Sequence, residues 1–208
     1  MVTNVTTSND ISRRTVLGLL LGGVALAVLP ASKAHAMSTA DAQGLVNALV
    51  NDINKVIASG KSESAMYREF EKIFLRYADV PTIAQYSLGS AARSASRAQL
   101  NAYTKAFTGY ISRKYGKRFR EFIGGRLEVT GAKPVKSFVE VSTTAHLRGE
   151  DPFAVTFLVS DRSGKSKFFN LFIEGVNMLL TERTEIGSML DRRGGNIDAL
   201  TRDLQSMS

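Results

Sequence analysis

Side chains able to do chemistry are scarce in this 208-residue chain, which has two histidines and neither cysteine nor tryptophan. Without cysteine there are no disulfides, no thiolate zinc sites and no cysteine nucleophile, and His35 and His146 cannot between them build a histidine-based metal cluster. His146 with Glu140 or Asp151 is the one conceivable acid–base set for an isomerase or hydrolase. Strand alternation, however, sends His146 to the face opposite Val141, Thr143 and Ala145. No nucleophile, oxyanion or metal pattern accompanies it, so a surface histidine is the simpler reading.

Charge offers a second kind of chemistry. The chain has 27 Lys plus Arg against 19 Asp plus Glu, a net charge of +8 that permits anionic partners without choosing among them. Arg113, Lys114, Lys117, Arg118, Arg120 and Arg126 crowd a short stretch offset only by Glu121. Such a run is usually a solvated helix face. Its functional alternative is attraction to a phosphate headgroup or to an acidic docking surface, with Arg113, Lys117, Arg118 and Arg120 as the contact candidates. Interleaved Tyr110, Tyr115 and Phe119 superficially suit base stacking. The N-terminus argues against nucleic acid.

That N-terminus reads as an export signal spanning residues 1–36. Arg13 and Arg14 form its positive region, and Val16 to Leu29 is an uncharged run of 14 residues, short of the roughly 20 that a spanning helix needs. Pro30 and the small-residue site Ala34-His35-Ala36 follow. Ser12-Arg13-Arg14-Thr15-Val16-Leu17 resembles a twin-arginine signal, with Val16 where Phe is usual; an ordinary secretory n-region also tolerates paired arginines. Cleavage after Ala36 leaves residues 37–208 as one domain with 24 basic and 18 acidic residues. The expected destination is a bacterial periplasm, where a chain without disulfides must be stabilised by packing alone.

The elements that must position these residues change period near residue 126. Leu45, Leu49, Ile53, Val56 and Ile57 make a helical stripe after a cap at Ser38 and before Gly60. Met66, Phe70, Phe74 and Tyr77 make a second, and Asp79 with Pro81 starts a third. A longer helix shows Leu100, Tyr103, Phe107, Ile111 and Tyr115, with an aromatic continuation through Phe119, Phe122 and Ile123 to Gly124-Gly125. Beyond, apolar residues alternate: Leu127 and Val129; Val139 to Leu147; Phe153 to Val159; then Phe169, Leu171 and Ile173. Asp161-Arg162-Ser163-Gly164 is a hairpin connection by composition. Two closing helices are expected near Glu182–Arg192 and Asn196–Gln205, separated by Gly194-Gly195. The resulting fold class is α+β, with N-terminal helices and two C-terminal helices on one face of a roughly four-stranded antiparallel sheet.

Phe169-Asn170-Leu171-Phe172-Ile173-Glu174-Gly175-Val176-Asn177, followed by Arg183, Ile186, Gly194-Gly195 and Ile197-Asp198-Ala199-Leu200, resembles the C-terminal signature of the MlaC family, also called the toluene-tolerance or ABC-transporter auxiliary family. Phe74, Tyr77-Ala78-Asp79, Ile83-Ala84, Leu88-Gly89, Leu100, Phe107 and Tyr115 extend the resemblance through the N-terminal half. Asn170 and Ser166 stand where that family often has Asp and Trp. The resemblance implies a monomeric periplasmic carrier, without enzymatic activity or cofactor. It would hold a glycerophospholipid by its acyl chains and move between an outer-membrane lipoprotein and an inner-membrane ABC transporter complex with an MCE-domain subunit. A hopanoid or other polycyclic lipid is the alternative ligand, and a periplasmic hydrolase or isomerase the alternative class.

Removing about 28 methylenes from water at about 0.8 kcal/mol each gains on the order of 20 kcal/mol, so a lipid crosses an aqueous gap only if shielded. The expectation is therefore an apolar cavity near or above the upper end of the usual range of about 300 to 1,000 Å³, with the headgroup left outside. Candidate lining residues on the long helix are Tyr103, Phe107, Tyr110, Ile111 and Tyr115. Val139, Val141, Val155, Phe157, Leu171 and Ile173 are the strand candidates. Aromatic stripes at helical spacing more often fill a solid core, so some of these residues must pack against one another. For the basic run, charge reversal at Lys117 and Arg118 is expected to slow transfer to the transporter and flatten its salt dependence; unchanged rate and salt response would remove the docking role.

Overall fold

A computed structural model describes residues 37–118 and 125–207. The export signal, Arg120 and the aromatic continuation at Phe119, Phe122 and Ile123 lie outside the described residues, as do the side chains of Lys117 and Arg118.

The N-terminal half is helical: α1 (Thr39–Ile57), α2 (Glu63–Tyr77), α3 (Val80–Leu88), a 3-10 turn over Gly89–Arg93, and α4 (Arg97–Arg118). Their starts follow from local chemistry. The Ser38 hydroxyl accepts a hydrogen bond from the Asp41 amide at 3.0 Å, satisfying a donor that the first turn of α1 leaves free. Asp79 does the same for the Thr82 amide, with Pro81 in a first turn that needs no donor from it. Ser87 and Tyr103 join α3 to α4 inside the core: the Ser87 hydroxyl donates to the Ala84 carbonyl at 2.7 Å, so the Tyr103 phenol is the donor in the 2.6 Å contact between the two.

The second half is an antiparallel meander in sequence order, β1 (Arg126–Val135), β2 (Phe138–His146), β3 (Phe153–Ser160), β4 (Lys167–Ile173) and β5 (Val176–Asn177). The fifth strand, two residues long, extends the four-stranded expectation. It exists because Glu174 and Gly175 both hold positive φ, 48° and 80°, which a two-residue hairpin requires; Ile173 then pairs with Val176. The Ile-Glu-Gly-Val segment is thus a turn. Asn170 is buried just before it. Its side-chain oxygen accepts from the Leu179 amide at 3.1 Å and its nitrogen donates to Asn177 at 3.0 Å, tying β4 to the start of α5 (Met178–Arg192). Asn177 caps that helix through the Leu180 amide, so α5 begins four residues before the expected Glu182. The last helix, α6 (Ile197–Ser206), is capped by Asn196.

Register sets the core. Val141 lies opposite Phe157, Phe157 opposite Leu171, and Val155 opposite Ile173, so these side chains share one face. A bulge between Leu158 and Val159 then places Phe168 opposite Val159. The period-2 reading through Phe169 missed this shift, which buries the Phe168 ring between Phe157 and Phe74 at centroid distances of 5.6 and 6.2 Å. Helix α1 lies against β1, β2 and β3, whereas α3 and α5 lie against β4. Helix α4 packs with α2, α3 and α6, forming a second tier.

Gly116 sets the spacing between α2 and α4, because a Cβ there would fall 2.5 and 2.9 Å from carbons of the Tyr67 ring. Gly116→Ala gains roughly 1 kcal/mol of helix propensity. Pushing an aromatic ring out of a packed interface costs about 1–3 kcal/mol. The variant is therefore expected to lower the thermal midpoint by a few degrees, measurable by circular dichroism.

Candidate functional site: an apolar cavity with a buried carboxylate

Between the helices and the sheet lies a cavity of about 390 Å³. Phe107, Ile111 and Tyr115 of α4 line one wall, and Val155, Phe157, Leu171 and Ile173 of β3 and β4 line another. Sequence alternation and helical spacing thus brought these residues to one space. The volume is near the lower end of the range of about 300–1,000 Å³ typical of ligand pockets, below the expected upper end. The Phe74, Phe157 and Phe168 rings, in contact across the layers, occupy part of its wall.

Four candidates stand apart from the cavity wall. Val139 and Val141 are buried on β2, the strand next to β1 in the sheet that α1 covers, and Val141 has no exposed surface. Tyr103 is equally enclosed, its ring 5.7 Å from Phe107 and its hydroxyl engaged by Ser87, and burial raises its phenol well above the usual value. Tyr110 turns to α5, where its hydroxyl donates to Glu185 at 2.5 Å. A helical stripe wider than one contact surface must serve several neighbours at once. Residues that the sequence reading left out supply the remaining walls: Leu49 and Ile53 from α1, Phe70, Ile73 and Phe74 from α2, and Leu127 from β1. The Phe70 and Phe74 stripe was visible, but nothing local says which tier a helix joins.

The cavity also contains a carboxylate that no sequence pattern announced. Glu182 of α5 is 4% exposed and lines the cavity. One of its oxygens, Oε1, accepts from the Lys114 ammonium at 2.8 Å and from the Tyr115 hydroxyl at 2.5 Å. Lys114 also pairs with Glu185 and sits 5.5 and 5.6 Å from the Tyr110 and Tyr115 ring centroids. Two helices far apart in sequence are clasped by one cation and two phenols.

Arg113, offered as a headgroup or partner contact, has a structural task instead. Its guanidinium donates to the Met207 and Leu204 carbonyls at 2.6 and 2.7 Å, satisfying orphan acceptors at the end of α6. His146 lies 3.5 Å from Glu128 on the neighbouring strand, and Glu140 pairs with Lys133 at 2.8 Å.

The geometry is that of a helix-covered antiparallel sheet around an apolar hollow, and comparison with known proteins places it. The family model described as MlaC protein matches residues 44–206, and the chain belongs to that family. A solved structure of the phospholipid-binding protein from Ralstonia solanacearum, in complex with a phospholipid, shares the fold with a TM-score of 0.68 at 20% sequence identity. The match covers 79% of this chain and 94% of that one. Among the described residues, no helix is long and apolar enough to cross a membrane.

The clasp predicts a pH profile. Burial acts to raise the Glu185 carboxyl, but hydrogen bonds from Lys114 and Tyr110 outweigh it and hold the group below the usual glutamate value. This contribution is present above the unfolded value of about 4.3 and is lost as pH falls through the lower folded value. Burial raises the Tyr110 and Tyr115 phenols, reinforced by hydrogen bonds and charge from Glu185 and Glu182. Burial would lower Lys114, yet its bonds to both glutamates win and raise it. These three contribute below their unfolded values of about 10, and that stability is lost as pH rises through the higher folded ones. Thermal midpoints should therefore be flat near neutrality and fall on both limbs. Tyr115→Phe, which removes one phenol, should make the alkaline limb shallower, and an identical limb would contradict the assignment.

Proposed function

We propose that this chain is a periplasmic lipid carrier that takes the acyl chains of a glycerophospholipid into the cavity and shuttles it between the outer membrane and an inner-membrane ABC transporter complex. The observation that carries the reading is the cavity itself, walled mainly by Phe, Leu, Ile and Val side chains from both layers. Membership of the MlaC family and the phospholipid in the Ralstonia solanacearum relative support it. Residues 1–36 serve as the cleaved export signal. An outer-membrane lipoprotein and the transporter's MCE-domain subunit are the proposed partners of the monomer.

Physical bounds sharpen the proposal. At about 390 Å³ the cavity lies within the range of ordinary ligand pockets and offers room for an acyl chain. Apolar walls provide hydrophobic gain without direction, so tails of different length and unsaturation should all be accepted. Catalysis has no part in this scheme; the work is shielding.

Native mass spectrometry of protein from a bacterial expression host is expected to show an adduct of phospholipid mass. Ile111→Trp, which fills the cavity from α4, should lower the occupied fraction by about tenfold, equivalent to about 1.4 kcal/mol, with the far-ultraviolet circular dichroism unchanged. A clean unliganded wild-type protein after gentle handling, or full occupancy in the folded variant, would overturn the proposal.

A further inference from the structure

Two polar atoms in the cavity region have no partner among the described residues. The second oxygen of Glu182, Oε2, is buried and accepts no hydrogen bond, although Oε1 accepts two. Ser112 Oγ, on the facing α4 helix, is likewise buried and unpaired. Its neighbour one turn earlier behaves differently: Thr108 Oγ1 donates to the Thr104 carbonyl at 2.8 Å, the usual resort of a helical hydroxyl. Both Ser112 and Glu182 line the cavity, and they are 6% and 4% exposed. Buried polar groups are ordinarily satisfied, and an orphan carboxylate oxygen is among the costlier exceptions. A pure hydrocarbon filling this space would leave both atoms orphaned.

Charge selects what could satisfy them. Among the described residues, the charged members of the wall are Glu150, Glu174 and Glu182, all carboxylates. Lys114, behind Glu182, is already bonded to two carboxylates. A phosphate in this position would meet like charge, whereas an O–H or N–H donor would be welcomed by an acceptor with a free lone pair.

We propose that Glu182 Oε2 and Ser112 Oγ form a hydrogen-bonding subsite that receives a donor group carried by the lipid, either a hydroxyl or an ammonium, and that excludes its phosphate. Filling by acyl chains supplies affinity; this subsite supplies discrimination, as a buried acceptor does when the competing ligand lacks the matching donor. The inference rests on the lipid-carrier reading and adds a preference to it.

The test uses two matched pairs of dioleoyl lipids delivered in detergent micelles, with occupancy read by native mass spectrometry. Phosphatidylethanolamine against phosphatidylcholine compares an ammonium with N–H donors to one without. Dioleoylglycerol against its 3-acetyl ester compares a free hydroxyl with a blocked one. Wild-type protein is expected to favour the donor-bearing member about fivefold or more in at least one pair, and the pair that discriminates identifies the source of the donor. Glu182→Gln, which presents an amide in place of the free oxygen, should abolish or invert that preference. Ser112→Ala leaves the clasp to Lys114 and Tyr115 untouched and should weaken the preference without lowering the thermal midpoint, so it tests the subsite even if the first variant fails to fold. Equal occupancy within both pairs, or a wild-type preference retained by Ser112→Ala and by folded Glu182→Gln, overturns the subsite and leaves the carrier reading intact. Binding of none of the four lipids overturns both.

Discussion

An apolar hollow persists in a protein only where its walls are held apart by something other than their own attraction. Packed interiors approach crystalline density, and every contact that two greasy surfaces can make favours closing the gap between them. In this chain the opposing constraint is the clasp of Lys114, Tyr115 and Tyr110 on Glu182 and Glu185, which fixes α4 against α5 beside the cavity. Interlocked Phe74, Phe168 and Phe157 rings add a rigid strut between α2 and the sheet. The cavity is what remains between polar clasp and aromatic strut.

The clasp is also the most exacting part of the fold energetically. A carboxylate as enclosed as Glu182 is tolerated because a cation and a phenol both reach one of its oxygens, and removing one partner of such a pair typically costs about 3–5 kcal/mol. Its position on the wall of a mainly apolar cavity links stability to function. Side chains that keep α4 and α5 in register also define the polarity that an incoming lipid meets. Helices α1 and α2 contribute apolar area alone, so the two sides of the cavity differ in kind.

Much of the architecture was legible in the residues. The switch from three- and four-residue spacing to strict alternation near residue 126 marked the boundary between helices and sheet, and Ser38 and Asp79 marked helix starts through their side-chain caps. The site was legible only in part. Phe107, Ile111 and Tyr115 reached the cavity wall while Tyr103 and Tyr110 of the same helix did not, because a helix 22 residues long presents more than one face to its neighbours. Phe168 was hidden by a bulge, since one inserted residue reverses the inside–outside reading of everything on one side of it.

Sequence alone determined the kinds of surface the chain would make: amphipathic helices, a half-buried antiparallel meander, and the absence of any cysteine chemistry. These are properties of neighbours along the chain, set by backbone periodicity and local hydrogen bonding. Tertiary structure alone decided which of those surfaces meet flush and which stand apart, and it alone brought Lys114 to Glu182 across 68 positions. Nothing in the spacing of either residue encodes the other. Their pairing depends on the path of the intervening chain, and the energy of a buried charge depends on everything that excludes water from it.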